Sequence, residues 1–185
     1  MMKPLKIRFC GFGGQGIILS AITLGTALVT KKGYYAVQTQ SYGSEARGGQ
    51  CQAELIVADE EIKSPHSDEK DVLVAMSQSA LDRYVSDLKK GGVLIVDPTL
   101  VTEIPDVDAR IIQVPATQTA VDLGNRIAAN MVLLGFVQEA TGIISKEDLL
   151  AAVEDLVKPQ FMDINTRAIE AGIELAQGVN LEVIE

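Results

Sequence analysis

Six residues near the start of the chain, GFGGQG at positions 11 to 16, constrain its fold more than any other stretch. Gly11, Gly13 and Gly16 form a Gly-x-Gly-x-x-Gly spacing between KIRFC, which reads as a strand, and IILSAITLGTAL, which reads as a helix. At such intervals Gly11 permits a sharp strand-to-helix turn, Gly13 lets a ligand approach the backbone, and Gly16 allows helix and strand to pack closely. The amides around Gly14 and the helix start then point toward any arriving anion. A turn of this kind implies an α/β architecture in which a strand feeds directly into a helix.

The rest of the chain repeats that alternation. Ile17, Ile18, Ala21, Leu24 and Leu28 recur on a helical period, Lys31 and Lys32 complement the dipole of the last turn, and Gly33 stops the helix. Strands are predicted at 34–40, 51–57, 72–76, 93–96 and 110–114, with VLVAM the central parallel one because it is apolar throughout. Ser77 or Ser79 caps a helix carrying Leu81, Tyr84, Val85 and Leu88, closed by Lys89, Lys90, Gly91 and Gly92. Residues 125–140 predict a buried helix around Ile127, Met131, Leu134 and Phe136. Ser145-x-x-Asp148 has the spacing of a capping box for the next helix, which ends near Pro159, and 163–177 predict the last. Without repeat, linker or low-complexity tract, residues 1–185 read as a single three-layer α/β/α domain with a mostly parallel, Rossmann-like open sheet.

Composition removes several function classes. A net charge of −9 argues against a nucleic-acid binder, which shows a basic stripe. Two cysteines, Cys10 and Cys51, and one histidine, His66, cannot supply an iron–sulfur cluster or a closed zinc site, so no metal is expected in this chain. His66 lies in the polar loop KSPHSDEK and is expected to face solvent. Positions 9 to 30 carry no charge, but the glycines make the first third a loop and leave too little to span a membrane. With no export signal in MMKPLKIRF, a reduced, cytoplasmic setting is expected.

A dinucleotide site needs more than glycines. It needs an acid at the end of the second strand to hold a ribose hydroxyl, or a nearby arginine for a 2′-phosphate. That strand ends VQTQSYG, and the first charges after it are Glu45 and Arg47, inside the next loop. The loop, SYGSEARGG, holds Tyr42, Gly43, Gly48 and Gly49 as well. Its glycines free backbone amides to curl around an anion or meet a tight surface, and the Arg47 fork suits a carboxylate or phosphate. Both loops are expected at the carboxyl ends of adjacent strands, the edge where open α/β sheets take ligands and partners.

GFGGQG, then SYGSEARGG, then AANMVLLG at 128–135 with Asn130 inside it, together resemble the gamma subunit, or gamma domain, of the 2-oxoacid:ferredoxin oxidoreductases. Ser44 departs from the proline that many relatives carry there. The resemblance implies a multi-subunit enzyme that decarboxylates a 2-oxoacid on thiamine diphosphate with Mg²⁺, passes electrons through iron–sulfur clusters to ferredoxin, and transfers the acyl group to coenzyme A. It implies that those cofactors belong to alpha, beta and delta partners, and that this chain, alone, has no catalytic residue. Tyr42, Gly43, Glu45, Arg47, Gly48, Gly49 and Asn130 are then expected at a partner or coenzyme A contact, and Gly11, Gly13, Gly14 and Gly16 at a cofactor cradle. In isolation the chain could form a homodimer. The substrate stays open among pyruvate, 2-oxoglutarate, branched-chain 2-oxoacids and indolepyruvate, with overall likeness leaning to 2-oxoglutarate. The competing reading is a stand-alone nucleotide-binding oxidoreductase using the GFGGQG turn.

Overall fold

Alternating side chains along the first strand decide which layer each face meets. The computed structural model describes residues 2–43, 49–65 and 67–183. In it β1 (Leu5–Phe12) turns Leu5, Ile7 and Phe9 toward the larger helix layer and Cys10 toward the smaller one. Five more strands complete the sheet: β2 (Tyr35–Tyr42), β3 (Gln50–Ala58), β4 (Lys70–Ala75), β5 (Leu88–Val96) and β6 (Ala109–Gln113), in the order β2-β3-β1-β4-β5-β6. Neighbours β1, β4, β5 and β6 pair in parallel, whereas β3 pairs antiparallel with both β1 and β2. The fold is α/β and the sheet mostly parallel, as the alternation of elements implied. β4 is buried at every position, which is why its sequence shows no polar alternation.

Helices α1 (Ile17–Lys32), α3 (Ala116–Asp122), α4 (Ala129–Thr141), α5 (Lys146–Leu156) and α6 (Met162–Leu175) gather on one face around Leu24, Leu55, Ile95, Met131 and Phe136. The other face carries α2 (Gln78–Tyr84) over Cys10, Leu73, Leu94 and Val96. α4 and α6 cross where two glycines meet. A Cβ on Gly172 would overlap the Val132 carbonyl, and one on Gly135 would lie 2.9 Å from the Ile169 Cα. The Gly135 of AANMVLLG is therefore a packing residue.

Ser77, rather than Ser79, caps α2, its Oγ accepting from the Ala80 amide, and the Ser145 Oγ accepts from the Asp148 amide as the box spacing predicts. Three departures from the expected elements bear on the site. α2 stops at Tyr84, and after a 3-10 turn (Val85–Asp87) the strand already begins at Leu88, because Leu88 pairs with Lys70 ahead of a register shift. The connection after Pro115 contains α3, tied to β5 through the buried Asp97, whose Oδ2 accepts from the Thr117 amide at 2.6 Å. The helix expected from 125 begins only at Ala129, after a 3-10 turn (Arg126–Ala128) with different phase. Ile127 consequently does not join the core: it is 75% exposed. Among the described residues no helix is long and apolar enough to cross a membrane.

Candidate functional site

The turn after β1 is fastened by the side chain of Gln15. Its Oε1 accepts from the Phe12 amide at 2.6 Å and its Nε2 donates to the Met76 carbonyl at 2.8 Å, so one amide joins the ends of β1 and β4. A Cβ on Gly11 would collide with that clasp and sit 3.2 Å from the Met76 Cβ. Gly11 thus makes room for Gln15 while still within the strand, and the bend itself falls later. Gly16 is the N-cap of α1 with φ 73, and a side chain there would strike the Asn130 amide. Asn130, 4% exposed on α4, donates Nδ2 to the Gly16 carbonyl at 3.4 Å. Gly14, at φ 93, has open space where its Cβ would be.

Gly13 is not open to a ligand through its amide, which donates to the Gly49 carbonyl at 3.1 Å. On the same rim the Gly43 amide donates to the Gln50 carbonyl at 2.6 Å, and Tyr42 ends β2 with 64% of its surface exposed. Ser44, Glu45, Ala46, Arg47 and Gly48 lie outside the described residues, as does His66. The strands carrying the two loops are not neighbours, since β3 stands between β1 and β2. The loops still meet, because an antiparallel β3 starts at the rim where its two neighbours end: Cys51 pairs with both Gly11 and Tyr42.

Two clefts flank the turn. One of about 180 Å³ is lined by Gly14, Gln15, Met76, Thr117, Arg126 and Ile127. The other, of about 230 Å³, is lined by Gly14, Gly16, Ile127, Asn130, Phe161 and Asn165 among others. Ile127 forms the ridge between them. Gln15 and Ile127 both escaped sequence reading. A glutamine inside a glycine motif was a signal for the first; the second could be seen only once the start of α4 was known.

The opposite face of the sheet holds a buried ionic cluster, also unforeseen. Arg8, 4% exposed, bonds Glu54 through Nε (3.1 Å) and Nη2, and Asp87 through Nη1 (2.5 Å), with its guanidinium 4.7 Å from the Tyr84 ring centroid. Lys70 Nζ sits 3.4 Å from the other Glu54 oxygen. Burial draws the Arg8 pKa down, but bonds to Asp87 and Glu54 and their charges outweigh it and leave it raised. Burial lowers that of Lys70, with Glu54 offsetting only part. The signal lay in the sequence: Arg8 between Ile7 and Phe9, and Glu54 between Ala53 and Leu55, are charges flanked by apolar residues within strands.

Neither thiol is placed for redox work. Cys10 and Cys51 are free and buried, and burial pushes the Cys10 thiol up to about 12 and raises Cys51 as well. They point to opposite faces of the sheet, toward different clusters of the core. A dinucleotide fits poorly for a topological reason. The ribose-binding acid belongs on a parallel strand beside β1, on the side away from β4, and here that place is taken by the antiparallel β3.

A family model for pyruvate ferredoxin/flavodoxin oxidoreductase matches residues 6–175. The 2-oxoglutarate synthase subunit KorC of Methanothermobacter marburgensis is 50% identical over 177 residues, spanning 92% of this chain and 95% of that protein. A solved keto/oxoacid ferredoxin oxidoreductase gamma subunit from Geobacter sulfurreducens superposes with a TM-score of 0.84 at 40% identity, covering 95% of this chain and 99% of the other. The 2-oxoglutarate:ferredoxin oxidoreductase from Magnetococcus marinus, solved with 2-oxoglutarate, coenzyme A and succinyl-CoA bound, superposes at 0.87 with 25% identity. That match covers 97% of this chain but 32% of the longer one. With its glycine turn, its companion loop and its strand order all within the matched span, this chain belongs to the pyruvate ferredoxin/flavodoxin oxidoreductase family.

Proposed function

We propose that this chain is the gamma subunit of a cytoplasmic 2-oxoglutarate:ferredoxin oxidoreductase, one domain over its whole length, supplying no reacting group of its own. The observation that carries this reading is its likeness, over nearly the full length of both chains, to a 2-oxoglutarate synthase subunit. Thiamine diphosphate with Mg²⁺, bound by partner subunits, would supply the decarboxylation chemistry, and iron–sulfur clusters in other chains the route to ferredoxin. The residues of this chain do not fit a cluster, for two buried thiols on opposite sheet faces cannot share a metal.

The role left to the chain is assembly and access. The glycine turn and the 41–49 loop form one contact zone toward the thiamine-bearing alpha and beta subunits, with Arg47 ordering it and coenzyme A as a further candidate for its amides. The Gly13–Gly49 hydrogen bond supports treating the two loops as one surface. Gln15 and Asn130 hold that surface rigid from beneath, which lowers the entropy lost on docking.

Replacing Arg47 with alanine in the assembled enzyme tests the contact zone through two readouts, complex stability and acyl transfer. Both are expected to fall, and wild-type values for both remove the idea. Coenzyme A affinity with and without Arg47 separates a direct phosphate contact from a purely structural one.

A further inference from the structure

We propose that the free edge of β2 pairs with β2 of a second copy of this chain, antiparallel about a two-fold axis at Thr39. Tyr42 of each copy is then seated in the groove between α1 and β2 of the other. This stands apart from the functional reading above, because it uses the flank of the sheet and not the loops at its rim; the two surfaces meet at Tyr42.

Two hydrogen bonds fix which backbone groups of β2 look outward. The Gly43 amide donates to the Gln50 carbonyl and the Gly13 amide to the Gly49 carbonyl, so even-numbered residues of β3 bond to β2 and odd-numbered ones to β1. Carried along the register, Tyr35, Val37, Thr39 and Ser41 bond to β3. Ala36, Gln38, Gln40 and Tyr42 turn their amides and carbonyls toward the open edge.

Natural sheets protect such an edge with a charge, a proline, a bulge or a short strand. β2 has none of these. Its eight residues pair with β3 in unbroken register, within a stretch from Gly33 to Ser44 that holds neither charge nor proline. The opposite edge is protected, since β6 is five residues long and its Arg110 reaches across to the Asn180 carbonyl.

The open row is self-complementary. With the axis at Thr39, Ala36 faces Tyr42 and Gln38 faces Gln40 of the other copy, and every outward amide meets a carbonyl. A shift of the axis in either direction leaves some of them unpaired. Side chains fit the same register. Ala36 and Gln38 line a groove of about 360 Å³ with Gly25, Thr26, Val29 and Leu55. Residues opposite one another on antiparallel strands project to the same side of the sheet, so the second copy's tyrosine, facing Ala36, lies over that groove. In the single chain Tyr42 is 64% exposed.

Charge selects a second copy as the occupant. Each chain carries −9, and two such chains can approach closely only where that charge is missing. Neither the edge strand nor the lining of the groove contains a charged side chain. A basic or acidic partner finds no attraction there, whereas a copy supplies the matching ladder of Gln38 against Gln40 and Thr39 against Thr39.

Sedimentation of the full chain and cysteine crosslinking test this. At the axis the two Thr39 Cα atoms would form a non-hydrogen-bonded pair about 4.5 Å apart, within disulfide reach. Thr39→Cys is therefore expected to crosslink as a dimer under mild oxidation, and Gln38→Cys, which faces Gln40, is not. The native Cys10 and Cys51 are buried and do not compete. Gln40→Pro removes an outward amide and spares the bonds to β3, so it is expected to weaken the dimer by about a hundredfold while the chain stays folded. Tyr42→Ala empties both grooves and is expected to weaken it by about thirtyfold. A wild-type chain that stays monomeric at about 100 µM overturns the proposal. So does a dimer that Gln40→Pro and Tyr42→Ala leave intact, or one that Thr39→Cys does not crosslink. If the isolated chain is monomeric and Gln40→Pro instead abolishes assembly with larger chains, the edge belongs to another polypeptide and the proposal is wrong.

Discussion

The amide of Gly13 donates to the carbonyl of Gly49 across 3.1 Å, joining two loops whose strands are separated by a third. That bond converts two separate bends into one surface. Gly13→Pro removes the donor and sets the ring Cδ where the amide hydrogen points, against the Gly49 oxygen, although a Cβ there would meet that oxygen only at 3.9 Å. The cost in stability is expected to exceed about 1 kcal/mol, the value of one net hydrogen bond, because the ring also forces the two loops apart. Limited proteolysis within 43–49 should accelerate severalfold, and an unchanged cleavage rate would show that the bond does not hold the loop.

Gly16 and Asn130 form a testable pair. Gly16→Ala imposes a side chain on a left-handed φ and drives it into the Asn130 amide, so a loss of about 2–3 kcal/mol is expected. Asn130→Ala alone loses one long hydrogen bond of 3.4 Å and is expected to cost about 1 kcal/mol. The double variant should be more stable than the sum predicts, because the smaller residue clears the space. Urea titration of all four proteins gives the coupling, and strict additivity would contradict the contact.

The α4–α6 crossing depends on missing side chains. Gly172→Ala would place a methyl into the Val132 carbonyl and 2.8 Å from the Phe136 nitrogen, separating the two helices. A loss above about 3 kcal/mol, or failure to fold, is expected. Gly142→Ala, at φ 63 with open space, should cost only about 1 kcal/mol. Comparable midpoints for the two variants in chemical denaturation would refute the close crossing.

Within the ionic cluster, exposure ranks the two acids. Glu54 is 14% exposed at its side chain and faces both Arg8 and Lys70, whereas Asp87 is 38% exposed. Glu54→Gln leaves two buried cations underpaired and is expected to cost about 3–5 kcal/mol. Asp87→Asn should cost clearly less, because water reaches the site and screens the change. The opposite order of melting temperatures would mean that Asp87 carries the cluster.

The buried thiols set an alkaline limit. Burial lifts Cys10 from 9.0 to about 12 in the folded chain, so between those values the folded state holds a proton that the unfolded state releases. The stability this contributes is complete below about pH 9 and is lost as the pH rises toward 12. From pH 9 to 10 the loss should be about 1 kcal/mol from this group. Cys10→Ala should flatten that part of the curve, and equal slopes in the two proteins would exclude the thiol as its cause. At pH 8 the folded protein should react with thiol reagents only as fast as it opens.

Much of the fold was legible in the linear sequence because its devices are local. A glycine spacing between strand and helix, a serine three residues before an acid, and an apolar run without polar alternation each act through neighbours along the chain. The antiparallel course of β3 was within reach too. The connection 43–49 is shorter than the dozen or so residues that a parallel crossover needs, so β2 and β3 had to form a hairpin. The buried pairing of Arg8 with Glu54 was half visible, as charges flanked by apolar neighbours, though not which charge would meet which.

Short-range backbone geometry and motif spacing suffice for the strand-turn-helix unit, the Ser145 helix cap and the family. Long-range packing set the insertion of β3 between β2 and β1, so that the Gly13 amide is taken by Gly49, and the late start of α4 that turns Ile127 outward. Both outcomes depend on packing between segments far apart in the chain. A helical period read along 125–140 cannot reveal where an intervening 3-10 turn resets the phase.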